Sequence, residues 1–215
     1  MHVVITGASR GIGQGLAQAY AASGHEVSAT ARNPGADLVQ LDVTDPDQHA
    51  AFARGLGDRP VDLLICNAAI YPDKVQDLQT GYGPDLWART FATNVTGVFL
   101  TVQNLLPALE RAKTPKIAII SSIMGSDTHA TGGKYIYRAS KAAVLNLGRN
   151  LATDLEARGI AVGIYHPGWV RTDMGGESGA ISVEDSVRGL TARFEALSLA
   201  SSGIFEDWSG QRLDF

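Results

Sequence analysis

The chain has 215 residues, 45% hydrophobic and 19% charged, a balance that excludes a disordered chain or coiled coil and predicts one domain over 1–215. Its formal net charge is −4 and no block of clustered Lys and Arg occurs, so nucleic acid is not an expected partner. The single cysteine excludes a disulfide framework and a Cys-based zinc site and points to a reducing, cytoplasmic setting with no metal centre.

At the N-terminus, VVIT follows Met1 so closely that no secretory signal is expected. No apolar run approaches the roughly 18 residues of a membrane span, so no membrane partner is expected either. Strand-like runs are HVVIT (2–6), EVSAT (26–30), DLVQL (37–41), VDLLIC (61–66), KIAIIS (116–121), IAVGIY (160–165) and GIF (203–205). Several are continuously apolar, as strands are when a parallel sheet is covered on both faces. Helical patterns lie between them. Ile12, Leu16, Ala19 and Tyr20 share one face of the first, with Gly24 placed to end it. Asp45 is set to cap the next helix, with Pro46 at its first position. The 86–112 stretch reads as one long helix, apolar nearly all round. Strands alternating with helices predict an α/β, doubly wound parallel sheet of about seven strands. No repeat, low-complexity segment or composition shift marks a second domain.

Thr6-Gly7-Ala8-Ser9-Arg10-Gly11-Ile12-Gly13 falls between the first strand and the first helix. Glycines there permit a tight turn and close backbone approach to a pyrophosphate, and the helix N-terminus behind supplies oriented N–H groups. The spacing is G-x-x-x-G-x-G. Its position at the first strand-to-helix turn predicts a nucleotide site.

Further pieces fall in register along the whole chain: Asp42-Val43, Asn67-Ala68-Ala69, Asn94, Ser121-Ser122, Tyr137-x-x-x-Lys141, and Pro167-Gly168 with Thr172. Together with the glycine loop they resemble the short-chain dehydrogenase/reductase family, in particular its compact C-factor-like branch. The resemblance implies a single Rossmann-like domain whose substrate site is built into its C-terminal part. The family's Asn-Asn-Ala-Gly is Cys66-Asn67-Ala68-Ala69 here; Cys66 ends a buried strand and reads as a small core residue, not a nucleophile.

The resemblance implies a nicotinamide cofactor held by Gly7, Ser9, Arg10, Gly11, Ile12, Gly13, Arg32, Asp42, Val43, Asn67, Ala68, Ala69, Tyr137, Lys141, Pro167, Val170 and Thr172. An acid at the end of the second strand, roughly 20 residues past the glycine loop, would bond a ribose 2′-OH. The sequence there is Ala29-Thr30-Ala31-Arg32-Asn33, without an acid. Arg32 can pair with a 2′-phosphate through its planar fork, and Arg10 offers a second positive charge. NADP(H) is therefore expected rather than NAD(H).

Tyr137 and Lys141 are one helical turn apart and share a face if the segment is helical. A neighbouring ammonium favours phenolate and is expected to lower the tyrosine's pKa, so that Tyr137 can act as general acid or base. By resemblance, Lys141 also holds the nicotinamide ribose, Ser122 bonds the substrate oxygen, and Asn94 anchors a water leading from Lys141 to solvent. Ser121 is the alternative to Ser122, whose distance from Tyr137 is slightly longer than usual, implying extra loop in 125–134. Tyr135 has Ala139 four residues on and lacks a partner; His129 reads as a solvated loop residue. Trp169 reads equally as a stacking wall or as core.

The leading expectation is an NADP(H)-dependent oxidoreductase acting on a small carbonyl or alcohol, assembled as a homodimer or homotetramer through the long apolar helix and the one bearing Tyr137. The alternative is a dinucleotide-binding regulatory or signalling protein of the C-factor type. An extended sugar-nucleotide epimerase is not expected, because only about 40 residues follow Met174, too few for its usual substrate domain.

Overall fold

The computed structural model describes residues 1–35 and 37–215. Seven parallel strands form one sheet: β1 (His2–Ile5), β2 (Glu26–Ala31), β3 (Val39–Gln40), β4 (Leu63–Cys66), β5 (Lys116–Ile120), β6 (Ala161–His166) and β7 (Phe205–Asp207), in the order β3-β2-β1-β4-β5-β6-β7. Alternation in β1 shows why continuous apolar runs are needed. Val4 enters the core under helices α2 (Pro46–Leu56), α4 (Gly97–Glu110) and α5 (Tyr135–Glu156), while Val3 and Ile5 enter the core under α1 (Gly11–Ala22) and α6 (Val183–Ala196). Strand order reverses between β1 and β4, and the crevice beyond their carboxyl ends is where doubly wound sheets hold ligands.

Local signals place several boundaries as expected. Asp45 accepts from Asp47 N and Gln48 N at the start of α2, and Gly24, at φ +76°, follows the end of α1. Three elements differ in ways that have a physical reason. Of 37–41 only Val39 and Gln40 pair, on an exposed sheet edge where little apolar burial holds them. The last strand lies two residues later than expected, because Gly203 takes φ +84° and turns the chain instead of extending it. The long 86–112 helix is divided: α3 (Pro84–Phe91), a π-helical turn Ala92–Thr96, then α4. Such a turn widens the helix by one residue and is typical of functional sites; here it carries Asn94 inward, where it is 1% exposed. Among the described residues no helix is long and apolar enough to cross a membrane.

Candidate active site

The glycine loop runs from the end of β1 into α1. A Cβ at Gly7 would stand 2.7 Å from Ala68 Cα, and one at Gly13 would collide with the Gly7 carbonyl and lie 2.5 Å from Asn67 Nδ2. Asn67 locks this arrangement by donating to Thr6 O (3.0 Å) and Gly7 O (2.9 Å), while the backbone N–H groups of Asn67 and Ala68 both donate to Thr6 Oγ1 at 3.1 Å. The Asn67-Ala68-Ala69 segment thus tethers the loop across the topological switch point. The backbone-lined cradle at the N-terminus of α1 fits a pyrophosphate.

On the other side of β4, α5 brings Tyr137 and Lys141 to one face. Lys141 Nζ lies 5.6 Å from the centroid of the Tyr137 ring and donates to Ile120 O at 2.9 Å. Ser122, at the end of β5, accepts from Met124 N (3.1 Å) and faces the same phenol. Ser121 is spent: its hydroxyl donates to Lys141 O at 3.1 Å. Asn94 is clamped, accepting from Ile70 N (2.8 Å) and donating to Ile70 O (2.9 Å) and Ser140 Oγ (3.0 Å). It ties the loop after β4 to α5.

The electrostatics differ from expectation at Tyr137. Its pKa is raised, first by burial and then by the neighbouring Tyr71, with Asp73 adding to the rise and the Ser122 hydroxyl opposing it. A phenol that is 8% exposed loses the hydration that phenolate needs. Burial pushes Lys141 the other way, down to about 8. The tyrosine therefore keeps its proton in the free protein. Burial likewise pushes the Cys66 thiol up to about 12, consistent with a core residue.

The remaining sequence-identified residues surround the crevice. Arg32 is exposed at the end of β2. Arg10 Nη1 pairs with Asp173 Oδ2 at 3.0 Å on the surface, a contact of small weight that a phosphate can displace. Asp42 turns its carboxylate onto Thr44, accepting from Thr44 N (2.9 Å) and Thr44 Oγ1 (2.8 Å), and Val43 is buried beside it. Ser9 is exposed in the loop and Ile12 lies in the first turn of α1. After β6, Pro167 accepts from Ser186 Oγ (2.6 Å), Val170 bridges to Ile181, and the Thr172 hydroxyl accepts from Gly175 N (3.0 Å). Trp169 is not core: it is 55% exposed, with Nε1 donating to Gly175 O at 2.8 Å. The 125–134 loop is held by Arg138, which donates to His129 O (3.1 Å) and Thr131 Oγ1 (2.5 Å).

Three residues at the site carry no clear sequence signal. Tyr71 stacks on Tyr137 with centroids 4.1 Å apart. Asp73 is buried behind it. His166, immediately before Pro167, has a buried Nδ1 without a partner among the described residues and is pushed down to about 4, chiefly by burial.

A sequence model of the family described as short chain dehydrogenase matches residues 1–181. The chain belongs to that family. As a short-chain dehydrogenase it is an NAD(P)-dependent oxidoreductase. Its relatives include C-signal of Myxococcus xanthus, 38% identical over 164 residues spanning 74% of this chain and 96% of that protein. The 3-oxoacyl-[acyl-carrier-protein] reductase FabG of Escherichia coli strain K12 is 31% identical, over 80% of this short-chain dehydrogenase and 74% of FabG. Among solved structures, an NADPH-bound carbonyl reductase from chicken fatty liver is 32% identical with a TM-score of 0.91, over 100% of this chain and 98% of that one.

Proposed function

We propose that the protein is an NADPH-dependent carbonyl reductase with Tyr137 as general acid. The observation that carries this reading is the meeting of Tyr137, Lys141 and Ser122 at the carboxyl ends of the central strands, across from the glycine cradle. When bound, NADPH supplies the hydride. Gly7 and Ser9 to Gly13 would hold the pyrophosphate, Asp42, Val43 and Asn67 to Ala69 the adenine side, and Pro167, Val170 and Thr172 the carboxamide. Lys141 would hold the nicotinamide ribose. Ser122 orients the substrate oxygen, and Tyr137 gives that oxygen its phenolic proton; in the reverse direction the phenolate takes the proton back. Asn94 keeps the loop after β4 and α5 in register beneath them. An intact Tyr–Lys pair favours chemistry over a purely regulatory role, which has no need of a proton donor.

The choice of NADPH is supported by Arg32 and Arg10 and by the NADPH-bound carbonyl reductase among the structural neighbours. A panel of aldehydes, ketones and quinones, with cofactor oxidation followed optically, tests both parts. NADPH is expected to outperform NADH; equal use of the two overturns the cofactor assignment. A charge-assisted hydrogen bond is worth about 1.5–3 kcal/mol, so Arg32→Ala is expected to weaken NADPH by roughly ten- to hundredfold and leave NADH unchanged.

The same reading extends to assembly. Trp87, Phe91 and Val95 stay half-buried and Phe99 is 42% exposed, a stripe that the sheet does not cover. A second copy packing isologously there, beside α5, makes at least a homodimer. Light scattering at micromolar concentration is expected to give twice the chain mass or more; a monomer mass counts against it.

A further inference from the structure

Helix α5 begins without a cap of its own. Lys134 at its N-cap has φ +53° and its side chain makes no capping bond, so the first N–H groups need an acceptor from elsewhere. Asp73 supplies it across more than sixty residues: Oδ2 accepts from Ile136 N at 3.0 Å and from Tyr137 N at 3.3 Å. The carboxylate is fully buried, and its Oδ1 has no partner among the described residues. A half-satisfied buried carboxylate is costly where an apolar side chain would pack at lower cost. Two residues upstream, Tyr71 lies flat against the Tyr137 ring, and between them Pro72 stiffens the loop.

We infer that Asp73 is a positioning residue for Tyr137: its carboxylate, carried on the loop after β4, fixes the backbone of the reacting tyrosine while Tyr71 fixes the ring. The inference rests on the assignment of Tyr137 as the acid. Asp73 does not reach substrate; it acts by holding the N–H of Tyr137 itself, so a slack first turn of α5 moves the phenol. Its charge has a second effect. The groups facing the phenol are Tyr71 and Asp73 from the loop after β4, Ser122 from the end of β5, and Lys141 from α5, with His166 at the end of β6 facing Lys141. A negative charge at Asp73 opposes phenolate, so it helps keep the proton on Tyr137 toward higher pH.

The test compares Asp73→Ala and Asp73→Asn with wild type, with Tyr137→Phe as reference, using whichever carbonyl substrate turns over. A misplacement of about 1 Å can cost roughly a hundredfold, so Asp73→Ala is expected to lose between about tenfold and a hundredfold in kcat with NADPH affinity, read by fluorescence titration, near normal. Asn retains an acceptor for the two N–H groups, so Asp73→Asn is expected to recover most of kcat. With the charge gone, the alkaline limb of its kcat profile moves to lower pH. Wild-type kcat in the Ala variant, or an Asn variant with an unshifted profile, overturns the inference while an inactive Tyr137→Phe leaves the acid assignment standing. Equal losses of kcat, NADPH affinity and melting temperature in both variants also overturn it, since that marks a structural residue alone. An active Tyr137→Phe instead overturns the acid assignment itself.

Discussion

Replacing Tyr137 with Phe is expected to slow reduction of any working substrate at least about a hundredfold, within the usual range for loss of a general acid, while NADPH binding stays near normal. The substitution keeps the ring, its stacking on Tyr71 at 4.1 Å and the backbone bond to Asp73, so the first turn of α5 stays in place. Only the hydroxyl goes. Because burial raises the phenol's pKa in the free protein, that hydroxyl carries its proton throughout the neutral range and is ready for donation. The glycine cradle, Arg32 and the Asn67 tether are untouched. Stopped-flow cofactor oxidation and fluorescence titration separate the two quantities. Retention of most activity would show that another group donates the proton.

That the pair Tyr137–Lys141 was legible in the sequence while its support was not has a physical reason. Spacings along one element survive translation into structure, since residues four apart on a helix must share a face. The glycine loop was legible for a similar reason: steric need at Gly7 and Gly13 restricts those positions to glycine. Asp73 and Tyr71 are different. They meet Tyr137 from a loop more than sixty residues away, and a lone Asp in a polar loop carries no mark of the helix it will cap. The π-helical turn at Ala92–Thr96 was hidden because 86–112 is apolar nearly all round, so no phase shift shows in the pattern. The turn reveals itself only through Asn94, a polar side chain that needs partners inside and finds them on Ile70 and Ser140. Trp169 was ambiguous because its neighbours on either side, Gly168 and Val170, fit a strand end as well as a loop; the bridge from Val170 to Ile181 turns it outward.

Lys141 is the second residue whose loss is expected to be severe, and there stability and function part company. Its ammonium is buried with one carbonyl partner, Ile120 O, and burial lowers its pKa from 10.5 to about 8. Between those two values the unfolded chain holds a proton that the folded chain has released. Folding stability from this group therefore rises with pH across about 8 to 10.5, and below about 8 the penalty of burying the charge is present in full. Function runs the other way. The charged form is present below about 8 and is lost as pH rises through it, so, with Lys141 in its proposed role at the ribose, NADPH affinity of the free enzyme is expected to weaken there. Lys141→Met keeps the apolar stem and removes the proton altogether. Replacing a buried charge with an apolar side chain of similar volume is often neutral or stabilising, so the variant is expected to melt no lower than wild type at pH 7. At the same time it is expected to lose roughly tenfold or more in NADPH affinity, the weight of one charged hydrogen bond, and its affinity is expected to be flat across pH 7 to 9. Turnover is expected to fall further than binding, at least about a hundredfold, because in the proposed mechanism the same ammonium also aids proton delivery beside Tyr137. Calorimetry and fluorescence titration across that range check the opposed signs, and a variant that melts lower yet binds NADPH normally would place Lys141 in the scaffold instead of the site.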